Sequence, residues 1–143
     1  MVTAKQRPVI FPVSRTVTVS LVASTVAGIV FGLYMQTIGM IPMIASLAGS
    51  ESLFAGWTLH MIISWTFGLG YGAMTRFSNR YIILGAVHGL LIWLIGPIIV
   101  MPLMMGMGTM FAEILTGAQL TNLITHLGFS LITAFIFTIL MRR

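Results

Sequence analysis

Four apolar runs, each long enough to cross a lipid bilayer as a helix, constrain this chain more than any other feature. They lie at about residues 17–43, 53–75, 81–105 and 119–141. About 20 helical residues span the roughly 30 Å of hydrocarbon in a bilayer. Lipid offers no hydrogen-bond partners to an open backbone, so such runs must be helices. We therefore predict an all-α, polytopic four-helix membrane domain at 17–143, preceded by a cytoplasmic segment at 1–16.

The polar inventory excludes most catalytic chemistry. Only 6% of the residues are charged, against roughly 25% in soluble domains. The chain has no cysteine and no aspartate, and Glu51 and Glu113 are its only acidic residues. Disulfides and thiolate metal sites are therefore excluded, and mechanisms that need paired carboxylates are disfavoured. No nucleophile, base and acid can be assembled from what remains, so we expect a protein that is not an enzyme.

The few charges predict a topology. All the cations flank the same ends of the four runs, whereas Glu51 and Glu113 lie in loops at the opposite ends. Positively charged loops stay in the cytoplasm, so both termini are expected there and both acidic loops outside. The excess of basic over acidic residues is then explained by membrane topology and does not indicate a nucleic-acid partner. The seven cations are Lys5, Arg7, Arg15, Arg76, Arg80, Arg142 and Arg143.

An internal repeat relates the two halves of the chain. Residues 28–41 align with residues 85–98 at seven identical positions, and His60-x-x-x-Ser64 recurs as His126-x-x-x-Ser130. Each half would begin and end on the cytoplasmic side. The repeat therefore predicts two tandem helical hairpins related by a pseudo-twofold axis along the membrane normal.

The three histidines are the main candidates for functional residues, because an ionisable side chain inside a membrane span is energetically costly and is usually functional. His60 and His126 lie at matching depths, which makes them candidate paired ligands of a haem, a chlorin or a metal ion. Ser64 and Ser130, one turn further in, are candidates to orient them. His88 is a weaker cofactor ligand, because it lies between two glycines that favour close helix packing. The alternative for all three is structural hydrogen bonding between helices.

A cluster of methionines offers a second ligand set. Thioether sulfur together with imidazole suits Cu(I), and a site of this kind would open at the outer end of the third span. Methionine is also a common flexible filler of apolar interiors, so this cluster alone does not identify a metal site. The cofactor is therefore unknown: haem or chlorin is one alternative, and copper is the lesser one. The methionines concerned are Met101, Met104, Met105 and Met107, with Met35, Met40 and Met43 at the outer end of the first span.

Short motifs resemble those of a known group of proteins. Gly56-Trp57-x-x-His60, Met101-Pro102-Leu103 and His126-x-Gly128 are similar to elements of an uncharacterised family of small four-helix integral membrane proteins of bacteria and halophilic archaea. The resemblance implies a four-helix fold and a location in the cytoplasmic (inner) membrane of a prokaryote. It also implies that His60 and His126 belong to the motifs of the family. It implies no activity.

Three function classes remain open. We favour a non-catalytic subunit or assembly factor of a larger energy-transducing membrane complex, respiratory or photosynthetic, whose partners are the lipid bilayer and other membrane subunits. The first alternative is a membrane protein that binds haem, chlorin or copper through histidine. The second is a small transporter or channel.

Overall fold

The computed structural model describes residues 11–142, and this part of the chain is helical without any strand. Most of the predicted cytoplasmic segment, with Lys5 and Arg7, and the terminal Arg143 lie outside the described residues. A π-helical segment, Leu94–Val100, joins α4 to α5. The α-helices are α1 (Val13–Thr37), α2 (Met40–Leu47), α3 (Leu53–Met74), α4 (Tyr81–Trp93), α5 (Met101–Met104) and α6 (Gly117–Met141).

Three helices of the described chain are long and apolar enough to cross a membrane: Val13–Thr37, Tyr81–Met104 and Gly117–Met141. The described chain is thus all-helical, as expected, and its three apolar helices fit a multi-pass membrane protein. The remaining long helix, α3, has 22 residues, which is enough length to span at about 1.5 Å per residue.

The distribution of polarity is inverted relative to a soluble protein. Buried positions are filled largely by small or hydroxyl-bearing residues, whereas Val, Leu and Ile side chains cover the outer faces of all four long helices. Most buried hydroxyls donate to a carbonyl of their own helix, as Ser64 does to His60 and Thr133 to Phe129. This arrangement satisfies polar groups inside each helix and leaves an apolar surface for lipid.

The helices pack mainly as two pairs, α1 with α3 and α4 with α6, and α1 also contacts α6. Glycines bring the paired backbones close together. A Cβ atom on Gly68 would collide with Ser24 of α1, and one on Gly85 would lie 2.6 Å from the Ala134 Cβ of α6. Small residues at such crossings let helices associate in lipid.

The first apolar run is divided, so the prediction of one span reaching residue 43 is wrong at its outer end. The helix ends at Thr37 because Gly39 adopts φ +77°, a left-handed conformation that glycine tolerates. The short helix α2 then packs against α3. Pro42 lies in the first turn of α2, where its missing N–H costs little.

Two prolines shape the outer half of the third span. Pro97 lies inside the π-helical segment, and the N–H of Met101 donates to the carbonyl of Gly96, five residues back. Pro102 has no N–H for the carbonyl of Ile98, and the N–H of Met110 donates to that carbonyl instead, at 2.8 Å. The helix thus continues to Met104 and the following loop folds back onto it.

Candidate functional site

A cavity of about 120 Å³ lies between the helices and is lined by both members of the predicted histidine pair, His60 and His126. Apolar side chains from α1, α2, α3, α4 and α6 form most of its wall. Its polar or sulfur-bearing lining is completed by Ser64, Thr125, Met35 and Met101.

His60 is held by a hydrogen bond between helices. Its Nε2 lies 2.9 Å from the carbonyl oxygen of Gly28 on α1. A carbonyl only accepts, so Nε2 carries the proton and the neutral ring keeps a lone pair on Nδ1. The ring also meets Trp57 edge to face, with centroids 5.9 Å apart. Both contacts fix the orientation of a buried imidazole whose second nitrogen makes no hydrogen bond within the described residues.

His126 is held in the opposite tautomer by its own helix. Its Nδ1 lies 2.7 Å from the carbonyl oxygen of Asn122, so Nδ1 carries the proton and donates it in a hydrogen bond that this oxygen accepts. The lone pair is therefore on Nε2. Gly96 of the π-helical segment faces this nitrogen, since a Cβ atom there would lie 4.0 Å from it. The start of α6 is anchored to α4 by a 3.0 Å hydrogen bond from Trp93 Nε1 to the Gln119 carbonyl.

The two free nitrogens are not sealed inside the protein. Among residues 11–142, Ser20 Oγ is the only fully enclosed side-chain nitrogen or oxygen without a hydrogen-bond partner. His60 Nδ1 and His126 Nε2 therefore both retain some open surface, and both side chains border the cavity. One ring nitrogen fixed on a main-chain carbonyl and the other free is the arrangement of histidines that bind metals.

The remaining sequence candidates separate into two groups. Ser64 lines the cavity and donates to the carbonyl of His60 at 2.9 Å. Ser130 instead lies 2.9 Å from Nδ1 of His88 and makes no hydrogen bond to His126. His88 is buried, and its ring meets Tyr71 of α3 edge to face, with centroids 5.7 Å apart. Its two contacts tie α4 to α6 and to α3.

The methionines separate in the same way. Met101 lines the cavity, whereas the side chains of Met104, Met105 and Met107 are exposed. Met35 of α1 also lines the cavity. The cavity thus contains Met101, which is one of the four methionines predicted as ligands, and Met35, which comes from the first span.

Sequence reasoning assigned no site role to Thr125, Phe67 or Gly96, all of which line the cavity. Phe67 lies two turns after His60 and therefore on the same helix face, which is a usable signal. Gly96 lines the cavity because it lies in the π-helical segment, and no pattern in the sequence predicted that segment. No three His, Asp or Glu side chains of the described chain converge as a metal site, so a metal here would need ligands besides these residue types.

Comparison of this chain with protein-family models, with curated proteins and with solved structures found no match.

Proposed function

We propose that this chain is a non-catalytic, multi-pass membrane protein that binds a small ligand in its cavity by coordination to His60 and His126. The observation that carries the proposal is that both imidazoles border one cavity, each with one nitrogen fixed on a main-chain carbonyl and the other free. Neutral imidazoles oriented in this way are ready to donate a lone pair to a metal centre.

The size of the cavity bears on which ligand is bound. About 120 Å³ is close to the volume of an engineered cavity that binds benzene, roughly 150 Å³. A haem or chlorin macrocycle is several rings wide and would need the helices to separate. The volume therefore supports an ion or a small molecule over either macrocycle.

The proposed architecture is a four-helix membrane domain of two hairpins, with α3 as the fourth span. Gly32 and Gly89 occupy equivalent repeat positions, and a Cβ atom on either would approach a histidine of its own hairpin: the ring of His60 or the carbonyl of His126. That correspondence supports the pseudo-twofold relation. The histidines depart from it, since His60 bonds to the neighbouring helix and His126 to its own.

A second proposed function, compatible with the first, is that of an accessory subunit or assembly factor of an energy-transducing complex in a prokaryotic cytoplasmic membrane. Exposed apolar side chains lie near the two acidic loops. Phe54, in the first turn of α3, and Leu115 are both 82% exposed, and Met107 and Phe111 are exposed in the same loop as Leu115. Exposed apolar patches of this kind are typical of surfaces that dock other proteins.

The test of the binding proposal is purification from the native membrane in mild detergent, followed by an absorption spectrum and elemental analysis. We expect about one equivalent of a metal or chromophore per wild-type chain. His60→Gln and His126→Gln retain a hydrogen-bond donor but lose the free imidazole nitrogen, so each should abolish the bound species.

The matched control is His88→Gln, since His88 is the one other histidine and lies outside the cavity lining. It should keep the ligand. Equal ligand content in all four proteins, or none in the wild type, would contradict the proposal. Co-purifying membrane proteins identified in the same preparation would support the accessory role, and a lone chain would argue against it.

A further inference from the structure

We propose that the cavity is a site for a soft monovalent metal ion, Cu(I), held by His60 Nδ1, His126 Nε2 and the thioether sulfurs of Met35 and Met101. This inference rests on the proposed function and names the ligand class for the same histidine pair. Each of the four side chains comes from a different helix, namely α3, α6, α1 and α5, and all four line one cavity.

The ligand types select the metal. Thioether sulfur is a soft ligand that favours Cu(I), whereas carboxylates, carbonyls and water suit Mg²⁺, Ca²⁺ and Mn²⁺. Imidazole also suits Zn²⁺, so the histidines alone would not separate copper from zinc. The two methionines make that distinction, because Zn²⁺ sites in proteins use Cys, His and carboxylate ligands.

The charge of the site selects the oxidation state. His60, His126, Met35 and Met101 are all neutral ligands, and no acidic or cationic residue lines the cavity. The only acidic residues of the chain, Glu51 and Glu113, are exposed in the loops. An uncompensated charge in a medium of low dielectric constant is costly, and in the Born description the cost grows with the square of the charge. A monovalent ion is therefore favoured over any divalent one.

The four proposed ligands differ in flexibility, and this difference would allow the site to adjust around an ion. Methionine has three rotatable side-chain bonds and a polarisable sulfur, so Met35 and Met101 can adjust to an ion. The histidines cannot move as freely, because Gly28 and Asn122 hold them through main-chain carbonyls. The metal would thus meet two fixed nitrogens and two adaptable sulfurs.

The test is an anaerobic titration of the purified full-length protein in detergent with Cu(I), in competition with a chromogenic Cu(I) chelator. The wild type should bind one equivalent. Met35→Leu and Met101→Leu should each weaken binding at least tenfold, and His60→Gln and His126→Gln should abolish it. Leucine is close to methionine in volume, so these variants should keep the fold, which retained helicity and thermal unfolding would verify.

Met104→Leu is the matched control, because Met104 is a neighbour of Met101 in sequence but is 64% exposed. It should bind Cu(I) as the wild type does. X-ray absorption of the loaded protein should show both nitrogen and sulfur ligands. Wild-type affinity in both cavity methionine variants, or Zn²⁺ bound more tightly than Cu(I), would overturn the inference.

Failure of this inference is distinguishable from failure of the proposed function. If His60→Gln and His126→Gln remove some other native ligand while the wild type ignores Cu(I), the histidine site stands and the copper assignment falls. If no native or added species depends on either histidine, both fall.

Discussion

At the scale of single residues, glycine positions set how closely the helices approach. A Cβ atom on Gly89 would lie 2.9 Å from the Cα of Leu127 and 3.1 Å from the carbonyl oxygen of His126. Both neighbours are main-chain atoms of α6 that cannot swing aside. Gly117, at the start of α6, has nothing within 4 Å of such an atom.

We therefore expect Gly89→Ala to lower the free energy of unfolding by about 1–3 kcal/mol through overpacking. Gly117→Ala should change it by no more than about 0.5 kcal/mol. The measurement is a reversible unfolding titration, in which a denaturing detergent is added to the protein in a mild detergent. Circular dichroism reports the helicity that remains at each step. Equal stability of the two variants would mean that α4 and α6 do not pack as described.

The histidines were recognisable from sequence because a polar residue in an apolar span stands out and because the repeat pairs His60 with His126. The choice among methionines was not recognisable. Met101 and Met104 are three residues apart, and only the first lines the cavity. Which one faces inward depends on the helical phase, and that phase is altered by the π-helical segment before them.

At the scale of elements, the long helices followed the apolar runs closely. The predicted spans at 81–105 and 119–141 correspond to Tyr81–Met104 and Gly117–Met141. Hydropathy alone could not locate the break at Gly39, because apolar residues continue on both sides of it. The left-handed backbone of a glycine decides that boundary, and the proline three residues later is compatible with a new helix start.

The π-helical segment matters for the site because it lies opposite His126. A π-helical turn is wider than an α-helical turn, and such turns are frequent at functional sites. Here the segment contains Pro97, whose missing N–H disfavours regular α-helical hydrogen bonding. Gly96 in the same segment leaves the space beside His126 Nε2 open. Neither feature follows from a helical pattern read off the sequence.

At the scale of the whole molecule, the described cations gather at one end. Arg15 of α1 reaches the carbonyls of Leu140 and Met141 at the end of α6, at 3.4 and 3.5 Å. Arg76, just after α3, borders a groove together with Thr16 of α1. These contacts place the start of α1 beside the ends of α3 and α6.

The topology can be tested by placing single cysteines in this naturally cysteine-free chain and labelling intact cells with a membrane-impermeant maleimide. Ser52→Cys and Ala112→Cys should label from outside, whereas Phe77→Cys should label only after the membrane is permeabilised. Equal access at residues 52 and 77 would show that α3 does not cross the membrane. External labelling at residue 77 alone would reverse the orientation.

The central claim is that His60 and His126 act together at one site while His88 does not. The most direct measurement is ¹⁵N NMR of protein labelled at its three histidines and titrated with Ag(I), a redox-stable substitute for Cu(I). We predict that one nitrogen of His60 and one of His126 shift together upfield up to one equivalent, with His88 unchanged. Shifts at His88, or at only one member of the pair, would contradict the account.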